Sequence, residues 1–300
     1  MSQPSSLTAI LYAFSANLGI ALAKTLAALW TGSGSLLAEA VHSFADCGNQ
    51  VLLLIGMKRS EKQPTEKHPM GFGRESYIWS MMVAFTLFSV GGVFSVHEGW
   101  QRYTEVHALE NAEVAVIILL LAAGLEFFSL KGALGAMAQE KGDRSLWRWF
   151  RETHSSELMV VIGEDLAALL GLIIAFVMLG LAMLTGDTAY DAVGSMLIGI
   201  LLITVAVLVG KEVHSLLLGE TDATVRDEIQ QYLNNQPGVL RVFTLWAINH
   251  GNGVMVAVKA ELKPDMTVDE AAREINAMER HIKETHARVK WIFFEIDNTD

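Results

Sequence analysis

Only one cysteine, Cys47, occurs in 300 residues. That excludes an intrachain disulfide and any zinc site built from a cysteine cluster. A lone thiol in an apolar helix reads as a small apolar residue. Charge is scarce as well. Asp, Glu, Lys and Arg make up 18% of the chain against 52% hydrophobic residues, where soluble domains carry about a quarter charged residues. The deficit is local: long apolar runs fill residues 1–210, and 211–300 has an ordinary density of charge. Positive charge is the rarer sign. A formal net charge of −11 argues against a nucleic-acid partner, which needs a basic face, and is compatible with attracting cations. Met1 to Ser6 holds no charged side chain and no small-residue cleavage pattern, so neither a signal peptide nor a transit peptide is expected. No His-Glu-x-x-His is present, which argues against an intramembrane metalloprotease and against an enzyme of that kind.

What is there is a set of long apolar segments. A membrane span needs about 20 mostly apolar residues, and six stretches qualify: 7–30, 36–57, 76–97, 111–135, 158–185 and 188–210. Thr31-Gly32-Ser33-Gly34-Ser35 is a tight turn that makes the first two an antiparallel hairpin, and Thr185-Gly186-Asp187 joins the last two. Lys58, Arg59, Lys62, Lys67 and Arg74 crowd the 58–75 loop; Lys131, Lys141, Arg144, Arg148 and Arg151 crowd the 131–157 loop; Arg102 stands alone on the other side. Basic loops face the cytoplasm, so both termini are expected there, in a multi-pass protein of a bacterial inner membrane. Residues 211–300 read helix, strand, strand, helix, strand. Thr224–Asn234 is amphipathic; Val239–Ile248 and Val254–Leu262 alternate around His250-Gly251-Asn252-Gly253; Thr267 with Glu270 forms a capping box ahead of a helix to about Thr285; Val289–Ile296 is a last strand. The expected fold is a six-helix all-α membrane bundle (1–210) with a cytoplasmic α+β ferredoxin-like domain (211–300).

Glu39, His42 and Asp46 lie three and four residues apart in the second segment, so a helix points them the same way. Ionisable groups in a span are costly and mark a pathway or a site. Imidazole and carboxylate are ligands of a borderline divalent metal such as zinc. In the fifth segment His154, Glu157, Val161 and the Glu164-Asp165 pair form a stripe descending from the cytoplasmic end. Glu164 and Asp165 differ by about 100° around a helix, so both need not face one cavity. Asn17, Lys24, Asn49 and Glu126 are candidates for lining the path, with Asn17 and Asn49 equally readable as interhelical hydrogen bonds. Asp191, near the outer end of the sixth segment, reads as interfacial.

Three runs carry a resemblance. Gly34-Ser35-Leu36-Leu37-Ala38-Glu39-Ala40-Val41-His42-Ser43-Phe44-Ala45-Asp46, His68-Pro69-Met70-Gly71-Phe72-Gly73-Arg74-Glu75 and Glu164-Asp165-Leu166-Ala167-Ala168-Leu169-Leu170-Gly171 resemble the cation diffusion facilitators. These are zinc and manganese antiporters with six spans and a cytoplasmic ferredoxin-like domain, and the resemblance covers nearly the whole chain. The family's fifth span usually offers His-x-x-x-Asp, whereas this chain has Val161 and Asp165 preceded by Glu164. It looks like the branch with a Glu-Asp pair, which includes mitochondrial-type zinc transporters. A further family site in the loop before the third span reads Thr65, His68 and Phe72 here and is expected to be absent. His250, His281 and His286 are scattered, so the C-terminal domain is expected to serve dimerisation rather than hold a zinc cluster.

The resemblance implies a transported ion held by His42, Asp46 and Asp165, with Glu164 or water as fourth ligand, and no resident cofactor. Zn2+ suits one imidazole and two carboxylates; manganese, iron(II) or cobalt remain open because carboxylate hardens the site. Ligands must lose protons to bind metal, which gives a route to proton-coupled antiport by alternating access. Glu39, Asn17, Asn49, Glu126, Glu157 and His154 are the expected pathway residues. A non-transporting membrane metal sensor is the competing reading. In the family's homodimers, charges that match Arg74 and Glu220 link the protomers at the cytoplasmic surface.

Overall fold

A computed structural model describes residues 5–105 and 112–299. Residues 1–4, where no leader was expected, and 106–111, at the start of the fourth expected span and in the loop expected outside, lie beyond the described set. So does Asp300. The chain divides into two compact units: residues 1–57, 78–151 and 156–213, and residues 58–77, 152–155 and 214–300.

The first unit is helical. It comprises α1 (Ser5–Thr31), α2 (Gly34–Ser60), α3 (Glu75–Thr86), a π-helical segment (Leu87–Val93) that continues into α4 (Phe94–Thr104), α5 (Ala112–Lys141), α6 (Leu146–Glu152), α7 (Ser156–Thr185) and α8 (Ala189–Leu218). Among the described residues, four helices are long and apolar enough to cross a membrane: Glu75–Thr104, Glu113–Ala138, Ser156–Thr185 and Ala189–Leu218. The α2 run is diluted by Glu39, His42, Asp46, Asn49 and Gln50. Several helix ends lie beyond the sequence expectation: α2 runs past 57 to Ser60 and α4 past 97 to Thr104, so that Lys58, Arg59 and Arg102 are on helices. Strong helix formers carry α5 on to Lys141, where Gly142 at φ 55° stops it. Lys131 is therefore on a helix, and Arg148 and Arg151 sit on α6 rather than in a loop. Likewise α8 runs past 210 to Leu218 and ends at Gly219, φ 102°.

Leu36, Leu87, Leu119, Leu172, Leu179, Ile198 and Leu202 form the buried centre of this unit. Small residues bring backbones together there, as in other membrane bundles: a Cβ on Gly99 would strike the Ala192 carbonyl, and one on Gly199 would strike that of Gly92. The N-terminus of α2 is closed by a side chain from α8. Asp191 accepts from the Gly34 N–H (2.5 Å), from Ser33 Oγ (2.8 Å) and from Ser35 Oγ. Asp191 stands in the first turn of α8, at the helix end where it was expected, but is enclosed by protein and only 3% exposed. The first N–H groups of a helix lack intrahelical partners and carry the positive end of its dipole, and a carboxylate satisfies both. Arg102, paired with Glu98 at 2.7 Å, donates to the Gly32 carbonyl beside it.

The second unit holds α9 (Ala223–Asn234), β1 (Val239–His250), β2 (Gly253–Leu262), α10 (Val268–Thr285) and β3 (Val289–Ile296). This is the expected helix–strand–strand–helix–strand order. Asp222 caps α9 through Val225 N–H, and Thr267 with Glu270 completes the capping box of α10. The sheet has three strands in the order β1-β2-β3, β1 antiparallel and β3 parallel to β2. Among the described residues the ferredoxin-like βαββαβ frame thus lacks its first strand; a single bridge, Thr221 to Ile248, extends the β1 edge. Ile229, Leu233, Val256, Ala260 and Ile282 fill the space between sheet and helices.

Replacing Asp191 by Ala removes the cap of α2 and strands buried donors. A loss of about 2 kcal/mol is expected, read as a lower thermal unfolding midpoint in detergent. Asn at 191, which keeps one acceptor, should recover part of it.

Candidate metal centre

The polar face of α2 is the expected one. Glu39, His42 and Asn49 are fully buried and the Asp46 side chain is 14% exposed. Steps of three and four residues set them on one face. His42 Nδ1 lies 3.5 Å from Asp46 Oδ1. Both His42 ring nitrogens, Asp46 Oδ1, Glu39 Oε1 and Asn49 Oδ1 are buried without a hydrogen-bond partner. A buried polar atom left unpaired costs about 1–3 kcal/mol, so this concentration of nitrogen and oxygen acceptors calls for a cationic or proton-donating partner. His42 also packs near Gly91 of the π-helical segment, and such segments recur at functional sites.

Glu164 and Asp165 of α7 go to different neighbours. Asn49 Nδ2 donates to Glu164 Oε1 at 2.5 Å, tying α7 to α2. Ser129 Oγ donates to Asp165 Oδ2 at 3.0 Å, tying α7 to α5. Glu126, 8% exposed, stands one turn before Ser129. Asp46, Glu126, Glu164 and Asp165 all lie within Coulombic reach of one another. Among the described residues, however, no three His, Cys, Asp or Glu side chains are close enough to hold a metal ion together. The structure pairs His42 with Asp46 and brings Glu164 to their helix through Asn49, while Asp165 is drawn toward α5.

Other expected residues are placed as follows. Asn17 is half-buried on α1. Glu157 is on α7, beside Ser156 Oγ at 3.4 Å. His154 is not on the helical stripe: α7 starts at Ser156, because Ser155 N–H bonds back to Thr153 Oγ1 and holds the chain outside the helix. His68 packs against Phe72 at a tilt of 41°, with ring centroids 4.7 Å apart. His281 stacks on Tyr232, His286 faces Glu228 at 3.6 Å, and His250 meets the edge of Trp291. Burial, with Arg74 and Lys290 nearby, holds the His250 imidazole below its usual range. Arg74 Nη2 reaches Gly219, the neighbour of Glu220, while Glu75 faces Arg59 at 3.8 Å.

Sequence reasoning missed a buried ion pair. Lys24, wholly buried on α1, donates to Glu39 Oε2 at 3.2 Å and to Ser43 Oγ at 2.8 Å. The signal was in the hairpin: Lys24 lies about two turns before Thr31, and Glu39 and Ser43 about one and two turns after Ser35, so the three meet at similar depth. It also missed Ser129 as the partner of Asp165, which nothing local marks.

The whole of this polar cluster falls within residues 10–218, which match the cation efflux transmembrane domain, and residues 221–297 match the cytoplasmic domain of cation efflux proteins. The chain belongs to the cation diffusion facilitator family. That family consists of cation transporters, not enzymes. Relatives include the human proton-coupled zinc antiporter SLC30A9, mitochondrial, 32% identical over 246 residues, which are 81% of this chain and 43% of that protein. Metal tolerance protein C4 of Arabidopsis thaliana is 30% identical over 214 residues, 69% of this chain and 46% of the relative. Magnetosome protein MamB of Magnetospirillum gryphiswaldense is 23% identical over 285 residues, 92% and 89% of the two chains. The chain thus spans less than half the length of the first two.

Removing one member of a buried ion pair leaves the other uncompensated, at about 3–5 kcal/mol. Lys24→Met should lower the unfolding midpoint more than the double change Lys24→Met with Glu39→Leu. Equal loss in both would show that the pair is not coupled.

Proposed function

We propose that this protein is a secondary transporter that exports a divalent metal cation, Zn2+ foremost, from the cytoplasm in exchange for protons. The observation that carries the reading is the buried set of unpartnered nitrogen and oxygen atoms on His42, Asp46 and Glu39, with Glu126, Glu164 and Asp165 within electrostatic reach. The names of the human and plant relatives are in keeping with it.

In this reading His42, Asp46 and Asp165 bind the ion and Glu164 is the fourth ligand or a proton carrier. Asn49 and Ser129 hold the two acidic side chains of α7 in place, the part usually played by groups behind metal ligands. Six crossings set the N-terminus and the ferredoxin-like C-terminal domain on the cytoplasmic side of a bacterial inner membrane, because Lys and Arg concentrate on that side. The boundary lies near residue 210, and the C-terminal domain joins two copies into a homodimer. The abundance of carboxylate favours harder dications, manganese, iron(II) or cobalt, as the second reading.

The test is metal-by-metal flux in proteoliposomes with an imposed pH gradient. Zinc flux that follows the proton gradient, and that Asp46→Ala abolishes in a folded protein, is the expected outcome. Because protons compete for the ligands, acidifying the cytoplasmic face to about pH 6 should weaken metal binding. Metal binding without flux would leave a sensor, and flux indifferent to the gradient would end the antiport reading.

Arg74 and Glu220 are the proposed charges between protomers. Reversing Arg74 to Glu should weaken the dimer, measured by light scattering in detergent, and adding Glu220→Arg should restore part of it. A double variant no better than the worse single change rejects this pairing.

A further inference from the structure

The short helix α6 walls a cavity of about 410 Å3 together with α5, α7 and α8. Leu134, Phe150, Leu166 and Val209 are among its lining residues, and of the lining side chains only the indoles of Trp147 and Trp149 carry a nitrogen or oxygen atom. Trp149 is 1% exposed, and its ring N–H is buried without an acceptor. An indole is a donor only, and a buried one normally finds a partner. On the same helix Trp147 is 60% exposed and stacks on Phe150, while Arg148 and Arg151, three residues apart and so on one face, reach outward. Exposed Trp beside Arg is the composition of a segment lying at the membrane–water boundary.

We propose that this cavity is a phospholipid site: one acyl chain fills it, an ester carbonyl accepts from Trp149 Nε1–H, and the phosphate meets Arg148 and Arg151. A glycerophospholipid carries these groups in that order, a long apolar chain, then an acceptor, then an anion. A polypeptide segment would bring its own N–H groups into a space that offers them no acceptor, at a desolvation cost. The site also touches the proposed ion path. Its α7 wall includes Ile162, Gly163 and Leu166, which flank Glu164 and Asp165, and its α5 wall begins at Leu130, next to Ser129. A bound chain therefore packs against the turns that hold both carboxylates, so lipid occupancy tunes transport if the transport reading holds.

The binding test does not depend on transport. Detergent-purified, delipidated protein is titrated with dioleoyl-phosphatidylglycerol and, separately, dioleoyl-phosphatidylcholine, and bound lipid is counted by native mass spectrometry. One tightly held lipid per chain is expected. Trp149→Phe, which keeps the ring and loses the donor, should weaken it about two- to tenfold, the worth of one hydrogen bond. Leu134→Trp should fill the cavity and abolish it. Arg148→Gln with Arg151→Gln should lower phosphatidylglycerol retention. Thermal unfolding checks that each variant is folded; if Leu134→Trp is not, Trp149→Phe decides. Lipid held equally by wild type and Trp149→Phe, no lipid held by wild type, or a second protein copy in place of lipid would each overturn the assignment.

Discussion

An ionisable side chain inside an apolar helical bundle is tolerable where a neighbouring helix answers it, and that requirement sets the register of this one. Lys24 on α1 meets Glu39 and Ser43 on α2; Asn49 on α2 meets Glu164 on α7; Ser129 on α5 meets Asp165 on α7; Asp191 on α8 meets the first turn of α2. Each link joins two different helices. A shift of either partner by one turn would leave a buried polar group without its counterpart, at a cost larger than most single apolar contacts. Apolar packing around Leu36, Leu172 and Leu202 is non-directional by comparison. It holds the helices together, and the polar links fix which residues lie at one depth.

Those links also explain what could be read from the sequence. Helix and strand order in the second unit was legible because its signals are local: the Thr267–Glu270 box and the Gly251–Asn252 turn specify themselves within a few residues. The α2 face was legible for the same reason, since three- and four-residue spacing alone aligns Glu39, His42 and Asp46. Which helix answers which was not. That Asp191 is enclosed and caps α2 was hidden, because its partners, Ser33 and Ser35, lie far away in the chain. His154 looked like the top of a stripe because apolar spacing does not reveal that Thr153 turns the chain before Ser156. Helix ends were misjudged where good helix formers outlast the apolar run, as in α5 to Lys141. Asn49 was open between lining a path and bonding another helix; its bond to Glu164 makes it the link between the two acidic faces.

The spacing of the carboxylates bears on how an ion carrier could work here. Asp46, Glu126, Glu164 and Asp165 come from α2, α5 and α7, near enough to repel yet not gathered into a ligand cluster. Like charges held at such range oppose the approach of the helices that bear them, and only added positive charge relieves this. If these side chains bind the transported ion as proposed, protons and a dication would both supply it, at the same oxygens, so that occupancy by one excludes the other. A ligand moves a conformational equilibrium only by its differential affinity for the two arrangements. A dication can bridge carboxylates from two helices at once, whereas a proton neutralises one. In that reading, an arrangement that brought α2 and α7 closer would favour metal, and one that held them apart would favour protons. In the transport reading proposed above, exchange of metal for protons would rest on the charge count and helix origin of these four side chains, with Asn49 and Ser129 holding the two acids of α7.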